Sequence, residues 1–538
     1  MASSSVMVPT DSVYYRRRWL GLLFIGISVI VISLDNTILN VALPSITTDL
    51  SATTTDIQWI VDGYVLVFAT LLLTTGTLGD RIGRKRTLQV GLVLFGLGSA
   101  FAAFSNSTGM LIGARMFLGV AGALMLPATL SIIAATFRAE ERPQAIAMWA
   151  SVFGLGVGIG PVLGGFLAQN FSWHAVFFIN VPVVIVALIG GHYFLGETKE
   201  PNAPKLDILG AILSIIGIFA LIYGIIEAGV LGWTDPSVMI ALFAAVVFLT
   251  AFGFWEAYTP HPMLPLGFFK NRAFVGANLT LTLLSFGMFG SVFFMPQFFQ
   301  SVIGYEPFVA GLLILPFAIT MTFMTSRSAR IAKYLGTKRT VTLGTGLAGT
   351  AFLYMALTYH ADTQYFPVVL IGQLILAVGI ALAMSPATTA VMSSVPVEKA
   401  GVGSAMNDTT RQLGGALGIA ILGTISTNLY VAGVEPLQNL VDPVIFANIK
   451  ASLPLAISQS TQSLLSPEVF AVVQETARLA FMEGMNRAYF IGSIAMFASA
   501  LIAFIIIPDV IQSSRVKHTK NAEGEDVIDV IAPEEIAA

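Results

Sequence analysis

Long apolar runs, separated by short polar stretches, recur along almost the whole chain. A helix needs about 20 apolar residues to cross the hydrocarbon core of a membrane, and fourteen runs approach or exceed that length. They lie at 19–43, 57–78, 87–104, 109–136, 143–168, 174–195, 207–229, 236–257, 273–299, 307–326, 339–359, 364–391, 401–427 and 485–508. The pattern predicts an all-α polytopic membrane protein with fourteen transmembrane helices.

The composition supports this class and excludes several functions. Of the 538 residues, 56% are hydrophobic and 11% are charged, whereas soluble domains carry about 25% charged residues. The formal net charge of −3 indicates no nucleic-acid partner. Cysteine is absent, which excludes disulfides and thiolate chemistry, and the five histidines form no ligand pair at helical spacing. The sequence therefore predicts no metal, no cofactor and no enzyme.

The basic residues orient the spans, because Lys and Arg stay on the cytoplasmic side of a membrane. If Arg16, Arg17 and Arg18 lie on the inner side and the loops alternate between the two sides, 22 of the 27 basic residues lie on the inner side. We therefore expect both termini in the cytoplasm and the protein in the cell (inner or plasma) membrane. Residues 1–18 then form a cytoplasmic N-terminus, and the polar residues 513–538 form a disordered cytoplasmic tail.

A long outer loop at about 428–484 precedes the last span. Four prolines divide it into short segments: Pro436, Pro443, Pro454 and Pro467. Segments such as 467–482 are amphipathic, so we expect a helical hairpin that lies on the membrane surface.

Charged residues inside the spans are candidates for function, because burying a charge in lipid costs several kcal/mol. Asp35, Asp62 and Arg115 belong to spans 1, 2 and 4. At the rise of a helix they lie roughly 13, 8 and 9 Å from the outer ends of their spans. This shared depth predicts a cluster in which a carboxylate exchanges a proton and pairs with Arg115 or with a cationic substrate. A static buried pair of Asp and Arg is the alternative.

A second charged pair lies in span 13, where Asp408 and Arg411 are three residues apart and close to one helix face. Asp408 is a candidate for binding a second proton or a cation. Alternatively, Arg411 permanently neutralises the Asp408 carboxylate, and the sequence favours neither interpretation. Glu227 and Glu256, near the ends of spans 7 and 8, are expected to be solvated anchors.

Aromatic side chains at helical spacing suggest the walls of a cavity for lipophilic compounds, because flat rings suit varied ligands. They are Phe286, Phe289 and Phe293 in span 9, with Tyr64 and Phe68 in span 2. For span 9, packing against lipid remains an equally open reading.

Three motifs resemble those of the major facilitator superfamily. Residues 76–86, between spans 2 and 3, resemble the signature G-x-L-x-D-R-x-G-R-K. In span 4, Arg115 precedes Gly119 and Gly122, and Leu118 stands where the family usually has Gln. Span 5 resembles the signature associated with antiporters through Gly156, Gly160, Pro161, Gly164 and Gly165.

Segments 34–44, 173–182 and 411–415 narrow the resemblance to the fourteen-span drug:H⁺ antiporter subfamily, which includes quaternary-ammonium exporters. The resemblance implies two six-helix bundles, 19–200 and 261–512, with an inserted helix pair at 201–260. Residues 330–339, between spans 10 and 11, resemble a degenerate copy of the 79–86 loop at the equivalent place in the second half. A substrate site near the bilayer midplane between the halves is expected for such transporters.

The resemblance also gives roles to two of the motifs. The loop after span 2 would be an inner latch that holds the outward-open state; its residues are Gly76, Gly79, Asp80, Arg81, Gly83, Arg84 and Arg86. In span 5 the small residues allow close helix contact and Pro161 introduces a bend, which would give a deformable but sealed contact between helices.

Together these features predict a proton-coupled antiporter that exports amphipathic, cationic drugs by alternating access and works as a monomer. Its partners would be the substrates, protons and membrane lipid. No G-x-x-x-x-G-K-[ST] loop occurs, so an ion gradient must supply the energy. Export of an endogenous lipid, siderophore or metabolite is the alternative, and a non-transport membrane transducer is a third reading.

Overall fold

The computed structural model describes residues 7–508, apart from 51, 53, 200–206 and 261, together with 516–520 and 526–530. Within this part of the chain, fourteen helices are long and apolar enough to cross a membrane. The predicted all-α polytopic class is confirmed. The helices are α1 (Arg18–Asp49), α2 (Thr54–Ile82), α3 (Arg84–Ala103), α4 (Thr108–Thr136), α5 (Arg142–Asn170), α6 (Asn180–Phe194), α7 (Ile208–Leu231), α8 (Pro236–Tyr258), α9 (Arg272–Gln297), α10 (Pro307–Leu335), α11 (Thr337–Thr358), α12 (Leu370–Ser393), α13 (Ala400–Val434) and α14 (Pro467–Ile506). The sixth span also includes the short helix before α6 and runs over His174–Phe194.

Shorter elements connect these helices or follow them. Single helical turns or short helices occupy Val13–Arg16, His174–Phe178, Leu266–Lys270, Phe298–Val302, Tyr365–Val369, Val397–Lys399, Glu435–Asn439, Pro443–Ala451, Leu453–Ala456 and Gln459–Ser463. In the tail, strands β1 (Val516–Lys520) and β2 (Asp526–Val530) pair antiparallel. The polar composition did not predict this pairing. The rest of the predicted disordered tail lies outside the described residues.

Helices α1–α6 pack as one bundle and α9–α14 as a second, here called the N half and the C half. The halves meet along two seams, where α2 packs against α13 and α5 packs against α10. The face of the molecule at the α2–α3 turn, which the basic residues assign to the cytoplasm, is called the inner face.

Small residues form both seams. A Cβ placed on Gly76 of α2 would lie 2.4 Å from the carbonyl oxygen of Gly401 in α13. A Cβ placed on Gly158 of α5 would lie 2.0 Å from the Cβ of Ala318 in α10. Lipid provides no hydrophobic drive for helix association, so such close van der Waals contact between backbones is what holds helices together in a membrane.

The inserted helices α7 and α8 pair with each other, and α7 also packs against one helix of each half, α2 and α13. Leu66 of α2, Ile222 of α7 and Val402 of α13 belong to one buried apolar cluster. The inserted pair therefore covers the α2–α13 seam, a position that the sequence did not predict.

Glu256, at the end of α8, is not the solvated anchor that we expected. Its side chain is buried, with the residue 3% exposed, and its Oε2 accepts the backbone N–H of Leu264 at 3.0 Å. The carboxylate thus fixes the connection from the inserted pair into the C half. Glu227 is half-buried beside α2.

Helices α13 and α14 are 35 and 40 residues long, whereas about 20 residues cross the hydrocarbon core. Their extra turns pack against each other, with a Cβ on Gly433 falling 2.5 Å from the Cβ of Ala480. Short helices pack against these extra turns. There, the Tyr430 hydroxyl of α13 donates a hydrogen bond to the carbonyl oxygen of Ile449, in the short helix Pro443–Ala451, at 2.7 Å. The expected surface helix at 467–482 is instead the first part of α14, because its helical register continues without a break into the last span.

Candidate functional site

A buried ion pair joins Asp35 of α1 to Arg115 of α4 within the N half. The Nη1 atom of Arg115 lies 2.5 Å from Oδ2 of Asp35, and their side chains are 2% and 1% exposed. Arg115 Nε also donates to the carbonyl of Ile60 at 3.0 Å, and its guanidinium lies 4.5 Å from the centre of the Tyr64 ring. Three partners from two helices therefore hold the guanidinium in one orientation.

Asn180, at the start of α6, completes this site and was missed by the sequence reasoning. Its Nδ2 lies 3.3 Å from Oδ1 of Asp35 and 3.3 Å from the hydroxyl of Ser99, and the residue is 1% exposed. An uncharged amide inside a span is weaker evidence for a functional site than a charged group. The sequence pointed to Asn180 only through the 173–182 segment, which resembles the drug:H⁺ antiporter subfamily.

Asp62 does not face this pair, although the prediction grouped the three charges. On α2, Asp62 shares a face with Trp59 and Leu66, whereas Ile60 and Tyr64 point to the opposite side of the helix. Asp62 lines a small crevice between α2 and α7 together with Trp59, Leu66, Tyr223 and Glu227. The predicted grouping of Asp62 with Asp35 and Arg115 is therefore wrong.

Tyr64 and Phe68 do not line a cavity between the halves. Their rings stack with centres 5.5 Å apart, and both residues are at most 1% exposed. A Cβ on Gly119 would lie 2.7 Å from the Tyr64 carbonyl oxygen, and one on Gly122 would lie 2.9 Å from the Tyr64 hydroxyl. The glycines of α4 thus let α2 approach closely enough for Tyr64 to cover Arg115.

The span 9 aromatics serve packing inside the C half. A Cβ on Gly418 of α13 would lie 2.2 Å from the Phe286 carbonyl oxygen, and one on Gly415 would lie 2.8 Å from the Phe289 ring. Phe293 is 40% exposed on the surface. Phe293 therefore fits the lipid-facing alternative that we left open, whereas Phe286 and Phe289 pack against α13 within the protein, which neither alternative predicted.

The predicted latch spans both halves at the inner face. Asp80 of α2 accepts hydrogen bonds from Nε of Arg84 at 2.9 Å and from the backbone N–H of Gly401 at 2.8 Å. Arg84 reaches across as well, with Nη2 donating to the Val397 carbonyl at 2.5 Å. Asp80 and Arg84 are 6% and 0% exposed. Two charge-assisted hydrogen bonds therefore tie the N half to the start of α13 and to the short turn Val397–Lys399 before it.

The rest of the latch motif shapes the turn between α2 and α3. Gly83 has a φ of 121°, a region that L side chains rarely adopt, and a Cβ there would lie 2.7 Å from the Glu197 carboxylate. Glu197, which the sequence reasoning missed, accepts the backbone N–H groups of Lys85 and Arg86 at 3.2 and 3.1 Å. It thereby caps α3. In the C half, Gly336 makes the matching turn between α10 and α11 with a φ of 85°.

Three more latch residues, like Gly83, make no contact with the described part of the C half. Arg81 is exposed, and the side chain of Arg86 is 71% exposed, with its Nε 3.7 Å from Glu197. Gly79 is buried, and a Cβ there would make an ordinary contact of 3.5 Å with Thr87. The contact between the halves depends on Gly76, Asp80 and Arg84.

The span 5 glycines lie on two faces of α5. Cβ atoms on Gly156 and Gly160 would lie 1.9 Å from the hydroxyls of Ser33 and Thr37, which flank Asp35 on α1. Gly164 follows on the same face, against Ile38, whereas Gly158 faces α10 of the C half. Gly165 is buried, and Pro161 lies inside the continuous helix α5. A single helix therefore contacts both the turn that carries Asp35 and the other half.

Asp408 and Arg411 lie on the face of α13 that meets the N half. Arg411 Nη1 is 3.7 Å from Asp408 Oδ1, too far for a hydrogen bond, and Asn407 donates to that oxygen at 3.1 Å. The guanidinium of Arg411 lies 4.6 Å from the centre of the Phe153 ring and 5.8 Å from that of Trp149, both on α5. The sequence did not predict this contact between the halves.

At the inner face, outside the spans, Glu141 receives hydrogen bonds from Arg18 at 3.0 and 2.5 Å. This bonding lowers the pKa of the Glu141 carboxyl below its ordinary value. The pair fastens the start of α1 to the turn before α5.

Comparison with known proteins places these features in a family. The sequence profile of the Major Facilitator Superfamily matches residues 25–419. The chain belongs to this superfamily. It is 34% identical over 410 residues to the tetracenomycin C resistance and export protein of Streptomyces glaucescens, with 76% of each chain covered. It is also 34% identical over 420 residues to the multidrug efflux pump LfrA of Mycolicibacterium smegmatis, covering 78% of this chain and 83% of LfrA.

A third relative is the methyl viologen resistance protein SmvA of Salmonella typhimurium, 32% identical over 428 residues, with 78% of this chain and 84% of SmvA covered. Among solved structures, the proton:xylose symporter XylE has a TM-score of 0.61 at 13% identity, covering 91% of this chain and 96% of XylE. That likeness shows the major facilitator fold alone. The protein is a multi-pass transporter of the cell membrane and not an enzyme.

Proposed function

We propose that this facilitator exports amphipathic, cationic drugs in exchange for protons, by alternating access between its two halves, and that it works as a monomer in the lipid bilayer. The observation that carries the proposal is the presence of two buried charged pairs. Asp35 and Arg115 lie inside the N half, and Asp408 and Arg411 lie on the face of α13 that meets the N half. Resistance and efflux relatives that share about a third of its residues support drugs as the cargo.

Asp35 is the proposed proton carrier. Arg115 and Asn180 both donate hydrogen bonds to its carboxylate in this structure. Protonation would cancel the charge that Arg115 pairs with and leave a buried guanidinium without its counterion. Removing one partner of a buried pair costs about 3–5 kcal/mol. That cost is large enough to favour a different arrangement of α1 and α4 once the proton binds.

Helix α5 is the proposed link from that event to the seam. One of its faces packs against Ser33 and Thr37, on either side of Asp35, and the other face packs against Ala318 of the C half. The contacts leave no space for a methyl group, so α5 has to shift when α1 shifts. Protonation of Asp35 would thus act on the α5–α10 seam through helix packing, because Asp35 lies inside the N half and does not contact the C half directly.

Everted membrane vesicles test the coupling. We expect an imposed proton gradient to drive ethidium uptake by the wild-type protein, and Asp35→Asn to abolish that uptake. Asp235→Asn, at the N-cap of α8 and far from Asp35 in the sequence, is the control and should transport normally. If Asp35→Asn accumulates ethidium as the control does, Asp35 is not the coupling residue.

Export of a natural metabolite is the second candidate, and one observation favours it. The Streptomyces relative is named for the export of tetracenomycin C, so relatives at this level of identity include exporters of natural products. Competition separates the two: a metabolite that is the native cargo should inhibit ethidium uptake at lower concentration than ethidium inhibits the metabolite's own transport.

A further inference from the structure

Arg411 contacts two aromatic rings of the opposite half, and none of the roles described above accounts for this contact. Arg411 belongs to the C half, whereas Trp149 and Phe153 belong to α5 of the N half. The two rings are stacked, with centres 6.3 Å apart and planes inclined by 22°. Trp149 is held in place by a hydrogen bond from its Nε1 to the hydroxyl of Thr129 at 3.0 Å. The rings therefore form a fixed aromatic surface that faces a cation.

The carboxylate beside this surface is buried and incompletely paired. Asp408 is 1% exposed, and its Oδ2 has no hydrogen-bond partner within the described part of the chain. Arg411 Nη1 and Ser404 Oγ likewise make no hydrogen bond among the described residues, although Arg411 Nη1 lies 3.7 Å from Asp408 Oδ1. Ser404, Asn407, Asp408 and Arg411 follow at intervals of three and four residues, which places them on one helix face. A polar face this poorly satisfied is costly unless another group completes it.

We propose that Trp149, Phe153 and Asp408 form the binding site for the cationic group of the substrate, and that Arg411 occupies this site as a tethered cation when no substrate is bound. This inference rests on the proposed export function. A substrate cation would displace the guanidinium from the rings and take its place beside Asp408. An aromatic face and a carboxylate together recognise a lipophilic cation, because the ring face and the carboxylate are both negative.

The position of this site above the latch fits such a role. Asp408 follows Gly401 by seven residues on α13, or about 10 Å along the helix axis. Breaking the latch contact at Gly401 would open the path from the inner face to Arg411. While the latch is closed, the tethered guanidinium neutralises the carboxylate and fills the space beside the rings, so the empty transporter buries no unpaired anion.

Equilibrium binding of radiolabelled tetraphenylphosphonium to the purified protein tests the inference without requiring transport. We expect Arg411→Gln to bind the probe about tenfold more tightly than wild type, since the competing internal cation is gone. Arg411→Lys should show a smaller gain, because an ammonium stacks less well on aromatic rings. Asp408→Asn should weaken binding. Arg327→Gln, which removes an exposed arginine that stacks on Phe323 of its own helix, is the matched control and should bind like wild type.

The gain must also depend on the aromatic surface. Adding Phe153→Leu to Arg411→Gln should return the affinity towards the wild-type value. If Arg411→Gln fails to fold, as judged by its thermal unfolding, the comparison of Arg411→Lys with Arg411→Lys plus Phe153→Leu makes the same test. Unchanged or weaker binding by the Arg411 variants, or a gain that survives Phe153→Leu, would overturn the inference. Binding that follows the expected pattern without proton-driven transport would contradict the proposed function and support the site.

Discussion

The inner latch gives a prediction whose size can be worked out from its hydrogen bonds. Asp80→Asn replaces a carboxylate that accepts the Gly401 N–H at 2.8 Å and holds Arg84 at 2.9 Å. A hydrogen bond to a charged group contributes about 1.5–3 kcal/mol, against about 0.5–1.5 kcal/mol for a neutral one. Losing the charge therefore weakens the bond between the halves by about 1–1.5 kcal/mol. The ratio of inner-closed to inner-open molecules should fall about tenfold.

A single cysteine measures this shift, because the chain has none of its own. Val402 is 1% exposed in the apolar cluster at the α2–α13 seam, and cysteine is close to valine in size. The rate at which Val402→Cys reacts with a maleimide reports opening of the inner face. We expect Asp80→Asn to raise that rate about tenfold, in line with the shift in the equilibrium.

Glu197→Gln is the matched control, since it also converts an acid to an amide beside the same turn. Glu197 bonds to backbone groups of Lys85 and Arg86 within the N half, so its loss should leave the labelling rate near that of the parent. Equal labelling rates for Asp80→Asn and Glu197→Gln would refute the reasoning, because they would show that the bond across the seam does not hold the inner face closed.

Three further changes test other parts of the structure. Gly158→Ala places a Cβ 2.0 Å from that of Ala318 and should block ethidium export, and adding Ala318→Gly should restore it; a double variant as inactive as the single one would contradict this. Gly83→Ala should lower the melting temperature, since a φ of 121° costs alanine about 1–2 kcal/mol; an unchanged melting temperature would show that the turn relaxes freely. The Arg18 hydrogen bond lowers the pKa of Glu141 from 4.5, so the stability it contributes is present above that pH and is lost as the pH falls through the lowered pKa. Glu141→Gln should cost about 0–1 kcal/mol at neutral pH and flatten the acid side of the stability profile; a profile identical to wild type would argue against the pair.

Features that depend on distance along the chain were predictable from the sequence. The fourteen spans follow from run length. The pairing of Asp35 with Arg115 follows from their expected positions in the outer halves of spans 1 and 4, because charges in lipid are driven to find each other. The Gly83 turn and the Asp80–Arg84 contact are local, with partners at most four residues apart. In each case the geometry of one helix or one turn is enough.

Features that depend on how a helix is rotated about its axis were not predictable. Asp62 faces α7 instead of Asp35 and Arg115, and Phe286 and Phe289 face glycines of α13 in place of a cavity. A fully apolar helix in lipid has no polar side to orient it, so its rotation is set by close packing with distant segments. The stacking of Arg411 on Phe153 joins residues of opposite halves for the same reason and has no local signature.

Proton release on substrate binding tests the central claim most directly. Exchange requires that the substrate and the proton weaken each other's binding, and this effect is reciprocal. We expect tetraphenylphosphonium, added to purified protein in weakly buffered solution over a series of pH values, to acidify the solution, as followed with an indicator dye. Asp35→Asn should bind the probe and release no protons. Proton release by Asp35→Asn equal to that of wild type, or none from the wild-type protein at any pH at which the probe binds, would contradict the account.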